Sequence, residues 1–241
     1  GCRVRKNDLI IFYLLATAEH EGMFFGVFQA IDDGIFLDRN DASQFLKKEL
    51  GKSLLFRLKI QPYEVYPKGV TEWSALDEIK NIGSPYQMLW SLIYRKLKGN
   101  RGNTMITIYE AERLISLLRY ENNHNTLNCN GKCLTYDPST KSIVDINKPI
   151  PAYSGRKVPI DIMPRLLSKY NGNKAFEAHL QMYITQNVGR GTDKSLDAAL
   201  GICKSTVEWI GNEVSCGVGM QRIDVMLSVV ENPTKRVVMP I

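Results

Sequence analysis

The sequence contains no long apolar run. Its apolar stretches, such as residues 9–16, are far shorter than the roughly 20 apolar residues that cross a bilayer. Arg3, Arg5 and Lys6 interrupt the start of the chain, so no signal peptide is evident there. Hydrophobic residues make up 44% and charged residues 23% of the composition, which is typical of globular proteins and excludes a disordered chain. We therefore expect a soluble protein of the cytoplasm.

Cysteine is also scarce. The five cysteines are scattered and odd in number, which favours a reducing compartment over a disulfide framework. His124, Cys129 and Cys133 lie close together and could supply three zinc ligands. A fourth ligand is not evident, so a polar turn that carries two ordinary thiols is the interpretation we favour.

The charge is modestly basic and locally clustered. The formal net charge is +6, and the isoelectric point is near 9.0. One cluster contains Arg95, Lys96, Lys98 and Arg101. A second, which is interrupted only by Asp161, contains Lys148, Arg156, Lys157, Arg165, Lys169 and Lys174. Either cluster could neutralise phosphates, and the alternative is a solvated basic surface.

A length of 241 residues allows one large domain or two smaller ones. Proline and asparagine are concentrated between about residues 120 and 164, where they break regular structure. We therefore predict a first domain over residues 1–120, a basic, proline-rich linker with one short hairpin over 121–164, and a second domain over 165–241. The mixture of strands and helices in both domains predicts an α+β protein.

In the first domain, the pattern predicts strands over residues 8–15, 23–31 and 53–60, with a continuation at Val65. It predicts helices over residues 73–79, 85–94 and 108–118, and Thr107 with Glu110 forms a capping box for the last of them. Short strands with few helices are typical of a small, strongly bent barrel.

The order DLIIFYL, FFGVFQAI, LLFRLKIQPYEV and GNRGNTMITIYEAERLISLL resembles the EVE domain, a PUA-like barrel related to the YTH domain. The resemblance covers about residues 1–119, and the family's first strand and first cage tryptophan would precede Gly1. It implies recognition of nucleic acid, with a modified base held in an aromatic cage. The nucleic-acid-binding candidates are Lys98, Asn100, Arg101, Asn103, Arg95 and Trp73.

Arg101 lies between two glycines, where the backbone can approach a nucleic-acid strand and the guanidinium can bind a phosphate; the alternative is a surface turn. Trp73 lies between polar residues and is expected to be exposed. The other aromatic candidates for a cage also suit a hydrophobic core. They are Tyr13, Phe36, Phe45 and Trp90.

In the second domain, the pattern predicts helices over residues 173–187 and 193–203, the latter capped by Asp193 or Thr192. Strands follow over residues 207–214, 222–230 and 236–241, with the turn ENPTK before the last of them.

This order of helix and strands, with the run G-M-Q-R-I-D-V-M-L, resembles the core of PD-(D/E)XK nucleases. The resemblance implies that Glu177, on the helix, and Asp224, on a strand, are catalytic residues that bind Mg2+. The family's E-x-K element would follow Ile241. A carboxylate between apolar strand residues needs a cation nearby if it is buried. The alternatives are an edge-strand aspartate that faces solvent or pairs with Arg222, and an ordinary surface glutamate at 177.

Together these features predict a restriction-type, Mg2+-dependent DNA endonuclease. Its first domain would recognise a site or a modified base in double-stranded DNA, and a homodimer would cut both strands. The alternative is a non-catalytic protein that binds modified DNA or RNA. RNA modification or processing is a third possibility, since a PUA-like fold alone does not exclude it.

Overall fold

The computed structural model describes residues 4–38, 47–77, 82–84, 87–90, 92–97, 104–149, 155–156, 161–215 and 222–241. It is a mixed α+β structure with antiparallel sheets, which confirms the predicted class. The chain divides into two compact units. The first comprises Arg3–Thr104 and Ile108–Pro159, and the second comprises Met105–Thr107 and Ile160–Ile241. No helix in the described ranges is both long enough and apolar enough to cross a membrane.

The main sheet of the first unit has the strand order β1-β2-β5, and β6 also pairs with β2. β1 and β2 are rich in aromatic and β-branched residues, which suits a pleated surface packed against a core. Met23, Phe24, Phe25 and Val27 of β2 are buried. The strands are β1 (Leu9–Leu14), β2 (Met23–Ala30), β5 (Ile60–Pro62) and β6 (Val70–Thr71).

The remaining strands of this unit form a small sheet and a hairpin. The small sheet contains β3 (Phe36–Asp38), β4 (Phe56–Arg57) and β9 (Gly155–Arg156), in the order β4-β3-β9. The hairpin contains β7 (Leu134–Asp137) and β8 (Ser142–Asp145). Within the described ranges these sheets are open and do not close into the predicted barrel.

The helices of the first unit are α1 (Lys47–Leu50), α2 (Glu72–Asp77), a π-helix (Leu92–Leu97) and α3 (Ile108–Glu121). The prediction for α3 is confirmed at its start, and the helix ends before Asn123 and His124, which have positive φ values of 48° and 61°. The predicted helix over residues 85–94 is wrong in its described part, where the regular structure is mainly the π-helix. The predicted strand over 53–60 is reduced to the two short strands β4 and β5, because this segment pairs with β3 and β2 over only a few residues.

Residues predicted as a linker belong largely to the first unit. The β7–β8 hairpin packs on that unit through the ring of Tyr136, which lies 5.1 Å from the ring of Phe25 between centroids. A helix that was not predicted, α4 (Met163–Asn171), begins at the end of the predicted linker and continues into the predicted second domain. Pro164 suggested irregular structure, but proline suits the first turn of a helix, where no intrahelical N–H bond is required.

The second unit places helices against a three-stranded antiparallel meander of order β10-β11-β12. The predicted strands and both predicted helices are present with shifted ends, and the Asp193 side chain caps α6 as expected. The elements after α4 are α5 (Glu177–Asn187), α6 (Lys194–Ala199), β10 (Thr206–Ser215), β11 (Arg222–Asn232) and β12 (Lys235–Pro240). The core cluster contains Ile184, Val188, Ile202, Val225, Leu227 and Val229.

Candidate functional site

Asp224 lies near the start of β11 and is exposed. Residues alternate between the two faces of a strand, and Val225, Leu227 and Val229 are buried in the core cluster that includes Ile184 of α5. Asp224 therefore lies on the face of β11 opposite to the one that α5 covers. A carboxylate on this face is hydrated and available to a cation or a ligand.

The strand register defines which positions on the two neighbouring strands lie opposite Asp224. On one side, Asn212 pairs with Val225 and Val214 pairs with Ile223, so residue 213 lies opposite Asp224. On the other side, Val225 and Ile241 exchange two backbone hydrogen bonds, of 3.2 and 2.7 Å. A residue that continued β12 after Ile241 would therefore lie opposite Asp224.

A buried polar network joins α5 to the backbone of Asp224. The Asn212 amide donates one hydrogen bond to the Gln181 side-chain oxygen at 3.1 Å and another to the Asp224 carbonyl oxygen at 2.7 Å. Gln181 and Asn212 are both buried. Neither residue was predicted from the sequence. The feature that could have indicated a buried polar contact is a glutamine one helical turn before Ile184, where an apolar residue is usual.

Glu177 is the first residue of α5 and is exposed. It precedes Gln181 by four residues, so the two lie on adjacent turns of the same helix face. The structure thus brings the segments that carry Glu177 and Asp224 together through Gln181 and Asn212. It does not place the two carboxylates on the same side of β11, and their assignment to one metal centre stays a prediction.

No group of three or more histidine, cysteine or acidic side chains suited to a metal is present in the described part of the chain. The candidate zinc ligands His124, Cys129 and Cys133 lie in this part of the chain and do not form such a group. Cys129 is buried, its thiol contacts the Leu127 carbonyl oxygen at 3.4 Å, and burial raises the pKa of the thiol. These features are those of a structural thiol, since metal ligation requires the thiolate.

Most of the predicted nucleic-acid-binding residues fall outside the described ranges, namely Lys98, Asn100, Arg101 and Asn103. Arg95 lies within the π-helix. Trp73 lies in the first turn of α2, and 58% of its surface is exposed. Trp73 is therefore exposed, as the sequence predicted, and is not part of the core.

A buried pair lies beside Trp73 in sequence. The Tyr13 hydroxyl donates a hydrogen bond to the Glu72 carboxylate, and Glu72 is buried. Burial, followed by the bond to Glu72, raises the pKa of Tyr13 well above its usual range. The approach is close, because a Cβ on Gly22 would lie 2.7 Å from both the Glu72 carboxylate and the Tyr13 hydroxyl. This pair fixes the start of α2 and therefore the backbone of Trp73.

The remaining cage candidates divide between core and surface. Phe36 is buried in the core of the first unit, whereas Phe45 lies outside the described ranges. Trp90 is half exposed, and its ring lies 5.4 Å from that of Tyr94 between centroids. Tyr94 was not predicted as a binding residue; its signal was the spacing of four residues from Trp90.

Comparison of this chain with protein-family models, with curated proteins and with solved structures gives no match. Its function is therefore inferred from its residues and their geometry.

Proposed function

We propose that this protein is a restriction-type DNA endonuclease of the PD-(D/E)XK kind, whose first unit is an EVE-like reader of a site or a modified base. Its substrate is double-stranded DNA, and a homodimer provides one cutting centre for each strand. Glu177 and Asp224 are the proposed catalytic residues. The observation that carries the proposal is the position of Asp224, which is exposed on β11 beside the end of β12.

The register of β12 supports this assignment. Because Val225 and Ile241 form a hydrogen-bonded pair, a residue that continued this strand would lie beside Asp224, and one two residues further on would lie on the same face. A carboxylate and a lysine with one spacer would thus join Asp224 on a single exposed surface. This is the arrangement that the E-x-K element requires.

Mg2+ is the proposed cofactor, with Asp224 as its ligand on the exposed face of β11. Glu177 belongs to α5, on the other side of the strand, so it would join the same ion only after the start of α5 shifts. Mg2+ prefers oxygen ligands and is usually held by one or two carboxylates together with water and phosphate oxygens, so this donor set is chemically suitable. When bound, the ion would activate water and neutralise charge on the scissile phosphate. The exposed position of Asp224 leaves room for the phosphate.

The test is nicking of supercoiled plasmid by a chain lengthened with Glu-Ala-Lys after Ile241. We expect cleavage with Mg2+, and we expect Asp224→Asn to reduce its rate by at least about 100-fold because a metal ligand is lost. Glu231→Gln is the matched control, since it removes another exposed carboxylate from the same strand. Equal cleavage by the two variants, or cleavage that persists with EDTA, would refute the assignment.

The second candidate is a non-catalytic protein that binds modified DNA or RNA. The exposure of Trp73 beside the Tyr13–Glu72 pair favours it, because an aromatic face can stack on an unpaired base. DNA binding without Mg2+-dependent cleavage by the lengthened chain would support this candidate. In that case Trp73→Ala should weaken binding while it leaves the unfolding midpoint almost unchanged.

A further inference from the structure

The second unit carries a basic surface where α4 turns into α5. We call it the basic corner and define it by Arg165, Lys169 and Lys174. Arg165 and Lys169 are separated by four residues on α4, so their Cβ atoms lie about 5–6 Å apart on one helix face. Arg165 and Lys174 are exposed, and Lys169 is half-buried, which allows its stem to pack while its ammonium group reaches water.

The reversal after α4 brings the backbone of Lys174 back to the last turn of the helix. The Lys174 amide donates a hydrogen bond to the Lys169 carbonyl at 2.9 Å. Asn173 has a φ of 48°, in the left-handed region that asparagine tolerates, and this conformation makes the reversal possible. The stem of Lys174 passes near Gly172, where a Cβ would lie 4.0 Å from its Cγ atom. Three cations are therefore gathered on one short surface.

Little negative charge opposes these cations. The sequence has no acidic residue between Asp161 and Glu177. As far as the structure describes the chain, the three side chains of the basic corner form no ion pair. By contrast, Lys235 of the same unit pairs with Glu231 at 2.6 Å and Arg236 pairs with Glu208 at 3.0 Å. The charge of the corner is available to an external anion.

An exposed aromatic ring lies within the corner. Tyr170 is 61% exposed, and its ring meets the ring of Phe176 at 5.6 Å between centroids and 80° between planes. A tyrosine hydroxyl beside these cations can donate a further hydrogen bond to a phosphate oxygen. Glu177 follows Phe176 directly, so a strand of DNA held here would run beside Glu177.

We propose that the basic corner binds the phosphate backbone of duplex DNA, with Arg165, Lys169 and Lys174 as the phosphate contacts. This inference rests on the proposed function for the identity of the polyanion. The contacts are independent of base sequence, so they add affinity and salt dependence and leave recognition to the first unit.

The test uses the full chain and a fluorescent 20-base-pair duplex, with affinity measured by anisotropy between 50 and 200 mM salt. The variant is R165Q/K169Q/K174Q. The matched control is K52Q/K194Q/K204Q, which removes the same formal charge from exposed lysines outside the corner. Circular dichroism checks that both variants are folded.

The loss of three phosphate contacts reduces the magnitude of the negative slope of log affinity against log salt by about 2.7. Over this fourfold change in salt, the wild-type protein should therefore lose about 40-fold more affinity than the corner variant. The control should keep nearly the wild-type slope. Equal slopes for the two variants would overturn the proposal, since only overall charge would then matter.

Two further outcomes distinguish a failure of the basic-corner proposal from a failure of the proposed function. If the corner variant binds DNA like the wild type while Asp224→Asn still abolishes cleavage, the corner proposal fails and the proposed function stands. If the corner variant loses affinity for phosphatidylserine vesicles but not for the duplex, the surface binds a membrane, and the assignment to DNA is overturned.

Discussion

Asn212→Leu should destabilise the second unit by breaking the polar network beneath Asp224. Asn212 is 3% exposed, and its amide bridges Gln181 of α5 and the Asp224 carbonyl of β11. Leucine has a similar volume but cannot donate a hydrogen bond. The substitution therefore leaves the Gln181 side-chain oxygen buried with this donor removed.

The magnitude follows from the two bonds that are lost. Each contributes about 1 kcal/mol net, and a buried acceptor left unsatisfied costs a further 1–3 kcal/mol or so. The apolar surface that leucine buries offsets part of this loss. We therefore expect the free energy of unfolding to fall by about 2–3 kcal/mol.

Urea unfolding followed by Trp209 fluorescence measures this change. Trp209 lies in β10, and a W73F/W90F background removes the tryptophans of the first unit. Thr206→Val is the control, because Thr206 is exposed at the start of the same strand; it should change the free energy of unfolding by less than about 0.5 kcal/mol.

A double-mutant cycle tests the cause. Gln181→Met removes the acceptor, so Gln181→Met with Asn212→Leu leaves neither partner of that bond unpaired. The double variant should be more stable than the sum of the single losses predicts, by about 1 kcal/mol or more. Simple additivity, or a loss below about 0.5 kcal/mol for Asn212→Leu, would refute the proposed role of this network.

Three further changes test the remaining geometry. Arg119 binds the Glu64 carboxylate through two nitrogens and lowers the pKa of that carboxyl group. The stabilisation is therefore present above the ordinary pKa and is lost as the pH falls through the lower, folded-state pKa. In urea unfolding, Glu64→Gln should cost about 1–2 kcal/mol at pH 7 and progressively less as the pH falls through that range. The hydrogen bond to Asp193, followed by burial, raises the pKa of Tyr183 to about 12. The contribution of this bond to the stability of the protein is therefore complete below pH 10 and is lost as the pH rises through 12. Tyr183→Phe should abolish this pH dependence, and a tyrosine NMR titration that shows an ordinary pKa would contradict it. A Cβ on Gly69 would lie 2.4 Å from an aromatic carbon and 2.8 Å from a carbonyl oxygen of β2. Gly69→Ala should therefore destabilise the protein by about 2 kcal/mol or more, measured by thermal unfolding. An unchanged unfolding midpoint would show instead that β2 moves to accommodate the methyl group.

Much of the fold follows from local patterns in the sequence. The alternation in β11, from Val225 to Val229, is set by neighbours a few residues apart. Asp193 is a strong capping residue before α6, and its predicted role is confirmed by hydrogen bonds to two backbone amides. Such features need no distant partner, so the sequence alone predicts them.

Other features depended on contacts between distant segments. The strand predicted over residues 53–60 is broken because pairing with β2 and β3 is available only over a few residues of it. The helix α4 was missed because Pro164 is compatible with both a loop and a helix start, and burial of Ile162 and Leu166 favours the helix. In the part of the chain that the structure describes, open sheets are present instead of the expected barrel, since closure depends on strand partners far apart in sequence.

The candidate site shows the same division. By itself, the sequence determined the residue types, namely an aspartate in an apolar strand, a glutamate at a helix start and a run of cations before it. Only the tertiary structure decided that Asp224 lies on the exposed face, that Asn212 links its backbone to Gln181, and that Lys174 returns to α4. The physical reason is that side-chain chemistry is local, whereas hydrogen-bond partners and the face that a side chain occupies are set by strand register and chain reversal.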